Sequence, residues 1–95
     1  MAEDNSIFIG NKPFMNYVTS VVVQFTTKGA DEVIIKARGK FISRAVDIAE
    51  VTMKRFLKGQ IKLKGIQIDS EGFQSPEGHD VRVSTIEITL EKISL

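Results

Sequence analysis

An α+β fold, a two-layer sandwich with element order β-α-β-α-β-β, is what this sequence predicts, and three observations carry that expectation. Four segments have the apolar run or alternation of strands, and two longer ones repeat apolar residues at helical spacing. Glycines stand at most of the joints between them. The third observation is size: ninety-five residues, 42% apolar and 26% charged with two prolines, describe one domain with one core. A domain this small buries a modest share of its surface, so either its packing is efficient or a partner covers part of its apolar face, which makes oligomerisation one expectation.

Residues 1–5 are expected to be a flexible polar tail ahead of a single domain over 6–95. Ser6-Ile7-Phe8-Ile9, ended by Gly10, reads as a short buried strand leading into a turn. Pro13 suits the first turn of a helix, and Phe14, Met15, Val18, Val21, Val22 and Phe25 recur at helical spacing until Lys28-Gly29. The β-branched content of this helix means that packing must hold it. Glu32 to Arg38 reads as a second strand, with Val33, Ile35 and Ala37 on one face and Ile34, Lys36 and Arg38 on the other. Beyond Gly39, Ile42, Ala45, Val46, Ala49, Met53, Phe56 and Leu57 mark a second amphipathic helix that Lys58-Gly59 closes. Ile61 and Leu63 alternate, and the phase moves at Gly65 to Ile66 and Ile68, as a bulge in a long strand requires. The last strand shows the same kind of shift, from Val81 and Val83 to Ile86, Ile88 and Leu90. Between them, Asp69 to Asp80 is polar, contains Gly72, Pro76 and Gly78, and is too long for a tight hairpin turn. A projecting hairpin arm over about 69–80 is expected.

The absence of cysteine removes disulfides, thiolate metal sites and cysteine nucleophiles, and fits a reducing intracellular compartment. The longest apolar run, Val21-Val22-Val23, is far short of the roughly 18 residues that cross a bilayer. Glu3 and Asp4 stand where a signal peptide carries positive charge, so neither export nor membrane insertion is signalled. The net charge of +1 hides a division along the chain. From Gly10 to Lys64 eleven Lys or Arg face four acids, a net of +7, while the rest of the chain carries −6.

Catalysis is poorly supported. The one histidine, His79, lies in the expected arm beside Glu77 and Asp80, where a solvated loop residue is the simpler reading than a metal ligand. No nucleophile–base pair is signalled, and Gly10-Asn11-Lys12-Pro13 matches neither the phosphate-binding P-loop nor the dinucleotide fingerprint. No enzyme, metal or cofactor is expected. The basic residues are more informative. Lys12 sits at the entrance to the first helix, and Lys36, Arg38, Lys40 and Arg44 span the end of a strand and the start of the second helix. Helix starts favour anions, and adjacent cations turn them into phosphate sites. Two such junctions after parallel strands would open on one sheet edge. The alternative is that these cations merely solvate a surface.

Gly10-Asn11-Lys12-Pro13-Phe14-Met15-Asn16-Tyr17-Val18, the run from Ile35 to Asp47 (IKARGKFISRAVD) and Arg82-Val83-Ser84-Thr85-Ile86-Glu87-Ile88 together resemble the archaeal Alba family of chromatin proteins. The resemblance covers nearly the whole chain after residue 6. It implies the fold of the C-terminal domain of translation initiation factor three. It also implies a cytoplasmic, chromosome-associated (nucleoid) homodimer that coats and compacts double-stranded DNA with little sequence preference, binds RNA as well, and assembles dimer against dimer. The wider superfamily includes subunits of ribonuclease P and MRP, which makes an RNA-binding ribonucleoprotein subunit the alternative. By position, Lys12, Arg38, Lys40 and Arg44 match basic phosphate-contacting positions of the family. Asn16 is either a backbone or sugar contact or a structural cap. Phe56 matches an aromatic through which neighbouring dimers touch, and it also reads as an ordinary core residue. Many members carry a lysine pair after the glycine, and the first, an acetylation position, is here Asn11. Asn11 remains part of the candidate surface, and Lys12 is left as the candidate for acetylation. The family's arm reaches along the minor groove with basic side chains, whereas here Asp69, Glu71, Glu77 and Asp80 offer repulsion and Arg82 is the nearest cation. A weaker grip than is typical is expected.

Overall fold

The computed structural model describes residues 5–94, and its elements follow the expected order. β1 (Ser6–Phe8) leads through the Gly10–Pro13 turn into α1 (Phe14–Thr26). β2 (Glu32–Arg38) passes through a short 3-10 turn, Gly39–Phe41, into α2 (Ile42–Val51), and a π turn at Thr52–Phe56 follows. β3 (Ile61–Gln74) and β4 (Asp80–Lys92) complete the chain. The sheet order is β1-β2-β4-β3, with β1 parallel to β2 and the other pairs antiparallel. Residues 1–4 of the expected tail lie outside the described residues, and Asn5 is already tied to β2, its carbonyl accepting a 3.0 Å hydrogen bond from the Ile34 N–H.

Both helices lie on one face of the sheet because only that face offers a continuous apolar floor. Val33, Ile35 and Ala37 of β2 and Ile86, Ile88 and Leu90 of β4 are buried there. Ladder partners across an antiparallel pair share a face, and these residues are direct partners. Tyr17, Val18, Val21 and Phe25 close over them from α1, while Ala45, Ile48 and Ala49 do so from α2. Burial of this stripe offsets the low intrinsic helix propensity of α1's valines.

The second helix does not run on regularly to Leu57. A straight helix would put Phe56 on the inner face with Ala45, Ala49 and Thr52, at spacings of four and seven. The π turn, closed by Leu57 N–H on the Thr52 carbonyl at 2.9 Å, inserts one residue into that spacing. Leu57 takes the inward position at 4% exposure, and Phe56 swings outward to 48%. Thr52 is fully buried, and its hydroxyl has no hydrogen-bond partner. Replacing it with the isosteric Thr52→Val removes a desolvated polar atom without opening a cavity. Chemical denaturation is expected to show a gain of about 1 kcal/mol.

The expected bulge in β3 is present: the register shifts between Leu63 and Gly65, so that Lys64 is the extra residue. Lys64 pairs with Glu32, whose hydrogen bond and charge raise the lysine's pKa above its usual value. The second phase shift, expected in β4, is absent, because β4 pairs without interruption from Asp80 to Lys92. Val81 and Val83 simply face away from the helices, where the strand has left the two-layer body. The segment from Asp69 to Asp80 forms the expected hairpin arm, but β3 itself runs through it to Gln74, so the unpaired connection is shorter than the sequence suggested. Its ladder continues to Gln74 opposite Asp80, and only the turn between them is unpaired in the sheet. That turn is closed by Ser75 N–H on the His79 carbonyl at 2.8 Å, with Gly78 at φ 86°. The hairpin stretches the protein to 53 Å against 29 and 22 Å across.

Candidate nucleic-acid interface

Because β1 and β2 run parallel, the turns that follow them leave the same edge of the sheet. The first carries Asn11 and Lys12 and the second Arg38, Lys40 and Arg44. β4 lies antiparallel to β2 with Thr85 beside Arg38, so the hairpin springs from that edge too. One end of the molecule thus collects the basic candidates.

Tyr17 shapes the first turn. Its ring is buried, and its hydroxyl accepts hydrogen bonds from the N–H groups of Gly10 at 2.9 Å and Lys12 at 3.1 Å. Lys12 itself is exposed. Sequence reasoning missed this role, although a polar tip on an otherwise apolar helical face was the available signal. Tyr17→Phe leaves two partly buried N–H groups without an acceptor. It is expected to cost about 1–2 kcal/mol in thermal or chemical unfolding and to loosen the turn that carries Lys12.

Gly39, at φ 55°, lets the chain reverse from β2 into the 3-10 turn, a conformation that disfavours any residue with a Cβ. Arg38 and Lys40 flank it and are exposed, with the Lys40 ammonium 5.4 Å from the Phe41 ring centre. Arg44 is different. Its Nη1 donates to the Gly10 carbonyl, and its guanidinium lies 5.5 Å from the Tyr17 ring centre. It therefore ties the second junction to the first, with only part of its fork directed to solvent. Neither helix start carries an acid in its first turn.

Asn16 is exposed on α1, and the capping position belongs to Pro13 without any side-chain cap, so the capping role is not taken. Together with Lys12, Ser20 and Gln24 it lines a polar groove beside β1. Phe56 is half exposed rather than core.

The hairpin separates its charges by strand alternation. Arg82 pairs with Gly72, and its guanidinium lies over that glycine so closely that a Cβ there would meet Nη1 at 3.1 Å. Asp69 and Glu71 pair with Thr85 and Val83 and so face the opposite side. Of the four arm acids only Asp80 shares the face of Arg82, while Glu77 lies in the turn. Glu71 reaches back to the sheet and holds Arg38 Nη2 at 2.8 Å. Lys36, which the charge pattern grouped with the second junction, has its ammonium 3.9 Å from Glu87 and 5.4 Å from the Phe8 ring centre. Among the described residues no three metal-ligating side chains cluster, and no helix is long and apolar enough to cross a membrane.

The protein-family model described as Alba matches residues 5–70. A protein of Methanocella arvoryzae named DNA/RNA-binding protein Alba is 54% identical over 92 residues, which cover 97% of this chain and 94% of the relative. One of the same name from Nanoarchaeum equitans is 58% identical over 87 residues, covering 90% and 96%. Among solved structures, Alba from Thermoplasma volcanium superposes with a TM-score of 0.80 at 50% identity, covering 90% of this chain and 98% of its own. An Alba protein of Trypanosoma brucei shares the fold at 22% identity, with a TM-score of 0.72 over 99% of this chain and 74% of its own.

Proposed function

This chain belongs to the Alba family, and from that premise we propose that it is a non-enzymatic architectural protein that coats and compacts double-stranded DNA as a homodimer and also binds RNA. The observation that carries this reading is the convergence of Lys12, Arg38 and Lys40, all exposed, on the edge from which the hairpin projects. Relatives bearing the name DNA/RNA-binding protein support the ligand class. Cations on turns and helix starts contact phosphates and carry no base code, so binding is sequence-tolerant. Arg44 acts chiefly by holding the two turns together, Asn11 and Asn16 supply polar contacts beside Lys12, and Arg82 is the arm's cation. Acetylation of Lys12 would remove one phosphate contact per protomer. A protein of this kind works in the cytoplasm on the chromosome.

Homodimerisation is supported by the uncovered side of β3. Leu63, Ile66 and Ile68 point to the helix side of the sheet, yet they are 45%, 56% and 75% exposed because neither helix reaches that edge. An apolar strip along an edge strand calls for a partner, and a second copy offers the same strip. Phe56, half exposed on the π turn, is suited to contact between dimers.

The test is competition for a labelled DNA duplex by unlabelled duplex and by structured RNA, repeated across salt concentrations. With about six phosphates neutralised per dimer, log affinity against log salt is expected to fall with a slope of about −5. A slope near zero overturns the mechanism. Strong preference for RNA would move the function to a ribonucleoprotein subunit of the ribonuclease P and MRP type.

A further inference from the structure

A cleft of about 660 Å³ opens at the junction end of the sheet, reaching its helix-free face between β1, β2, β4 and the base of the hairpin. Its apolar wall is Phe8, Phe41 and Val83, and its polar groups include Lys36, Arg38 and Glu87. Phe8 is the conspicuous member. It projects from a strand on the side opposite the helices and is 68% exposed, so most of its ring meets water. Lys36 and Arg38 alternate onto the same face of β2, about 6.6 Å apart along the strand. Each is held by one exposed carboxylate, Lys36 by Glu87 at 3.9 Å and Arg38 by Glu71 at 2.8 Å. The Arg38 pair is exposed and the Lys36 pair half-buried, and ion pairs that reach solvent hold weakly enough for a phosphate to replace the carboxylate.

An open aromatic ring beside two cations on a sheet matches the chemistry of an unpaired nucleotide: a base with a free π face and a flexible anionic backbone. A duplex cannot use it, since its bases are stacked on each other and out of reach of a ring seated in a strand. RNA is the nucleic acid that presents unpaired bases in loops and ends. We propose that this cleft binds an unpaired nucleotide of single-stranded RNA, its base on the Phe8 ring and its flanking phosphates on Lys36 and Arg38. As Lys36 turns to the backbone, Glu87 is freed to accept N–H groups from the base edge, which favours bases that carry an amino group. The inference rests on the nucleic-acid reading above and adds a second mode, which shares Arg38 with duplex binding at the junction turns and differs from it in the use of Phe8.

The test uses the full chain with two probes, a fluorescent single-stranded oligoadenylate RNA and a fluorescent DNA duplex. Phe8→Ala is expected to weaken the RNA about tenfold or more, the scale of one lost stacked base, and to leave duplex affinity within about twofold. Phe8→Tyr, which keeps the ring, should restore RNA binding. Ultraviolet crosslinks of the RNA to the unaltered protein should map to the peptide containing Phe8, a readout independent of any variant's folding. Unchanged RNA affinity in Phe8→Ala, equal loss for both probes, or crosslinks only elsewhere would overturn the cleft while leaving duplex binding intact. Failure of the unaltered protein to bind either probe would overturn the nucleic-acid reading as well.

Discussion

Replacing Lys12 and Arg38 together by alanine is expected to weaken every DNA duplex to about the same degree and to flatten the dependence on salt. The two side chains sit on different turns of one sheet edge, so the proposed dimer would lose four of its proposed phosphate contacts at once. Starting from about six neutralised phosphates, the slope of log affinity against log salt should move from about −5 to about −2. The loss is therefore largest at low salt and shrinks as salt rises, a signature that simple misfolding would not give. Both residues are exposed and neither lies in the core, so the unfolding transition should be nearly unchanged. A loss confined to one sequence would point to base readout instead.

The second large effect is expected from Ile66→Asp combined with Ile68→Asp. In the protomer these side chains lie along an edge strand at 56% and 75% exposure, so the fold should tolerate the change. In the proposed dimer they meet their symmetry mates, and burying each is worth about 1.5–3 kcal/mol. Carboxylates there replace that gain with the cost of desolvating like charges. Light scattering should report a monomer, and duplex affinity should fall with a slope near half that of the unaltered protein, since each protomer then carries its cations alone. A dimer that persists with both substitutions would rule out the β3 strip as its interface.

Much of the fold was legible because its elements obey simple periods. β2 shows the alternation of a strand buried on one side, and its buried positions match that pattern residue by residue, whereas in α1 Val18, Val21 and Phe25 are buried as expected but Met15 is 46% exposed and Tyr17 takes an inward place. The bulge at Gly65 was legible for the same reason, since a lone phase change inside a strand has few causes. What escaped were features in which periodicity is deliberately broken or masked. The π turn inserts a residue into a helix whose apolar pattern still looks regular, so periodicity pointed Phe56 inward and only the resemblance offered the outward alternative. The phase change at Val83 and Ile86 resembled that at Gly65 but arose from β4 leaving the shelter of the helices. The hairpin arm was expected over Asp69 to Asp80, but its polar composition hid how far cross-strand pairing carries β3 into it.

The candidate site was legible at the level of residues gathered on one edge, because two parallel strands must release their following turns together. Its finer division was not. Arg44 could not be separated from Arg38 by charge alone. Its engagement with Gly10 and Tyr17 depends on a contact between segments far apart in sequence.

The bulge at Lys64 also fixes the parity of everything beyond it. Two residues, Lys64 and Gly65, stand opposite Thr89, so Ile66 returns to the side of Ile88, and Gly72 and Arg82 meet on that side too. Were the ladder to absorb Lys64 as an ordinary partner, each later residue of β3 would invert. Ile66 and Ile68 would leave the proposed interface, and Asp69, Glu71 and Phe73 would cross to the side of Arg82. Deleting Lys64 would keep the parity, whereas adding one residue anywhere between Ile66 and Gly72 without a new bulge would reverse it. The sidedness of the arm is thus a property of residue count, set far from the arm's tip.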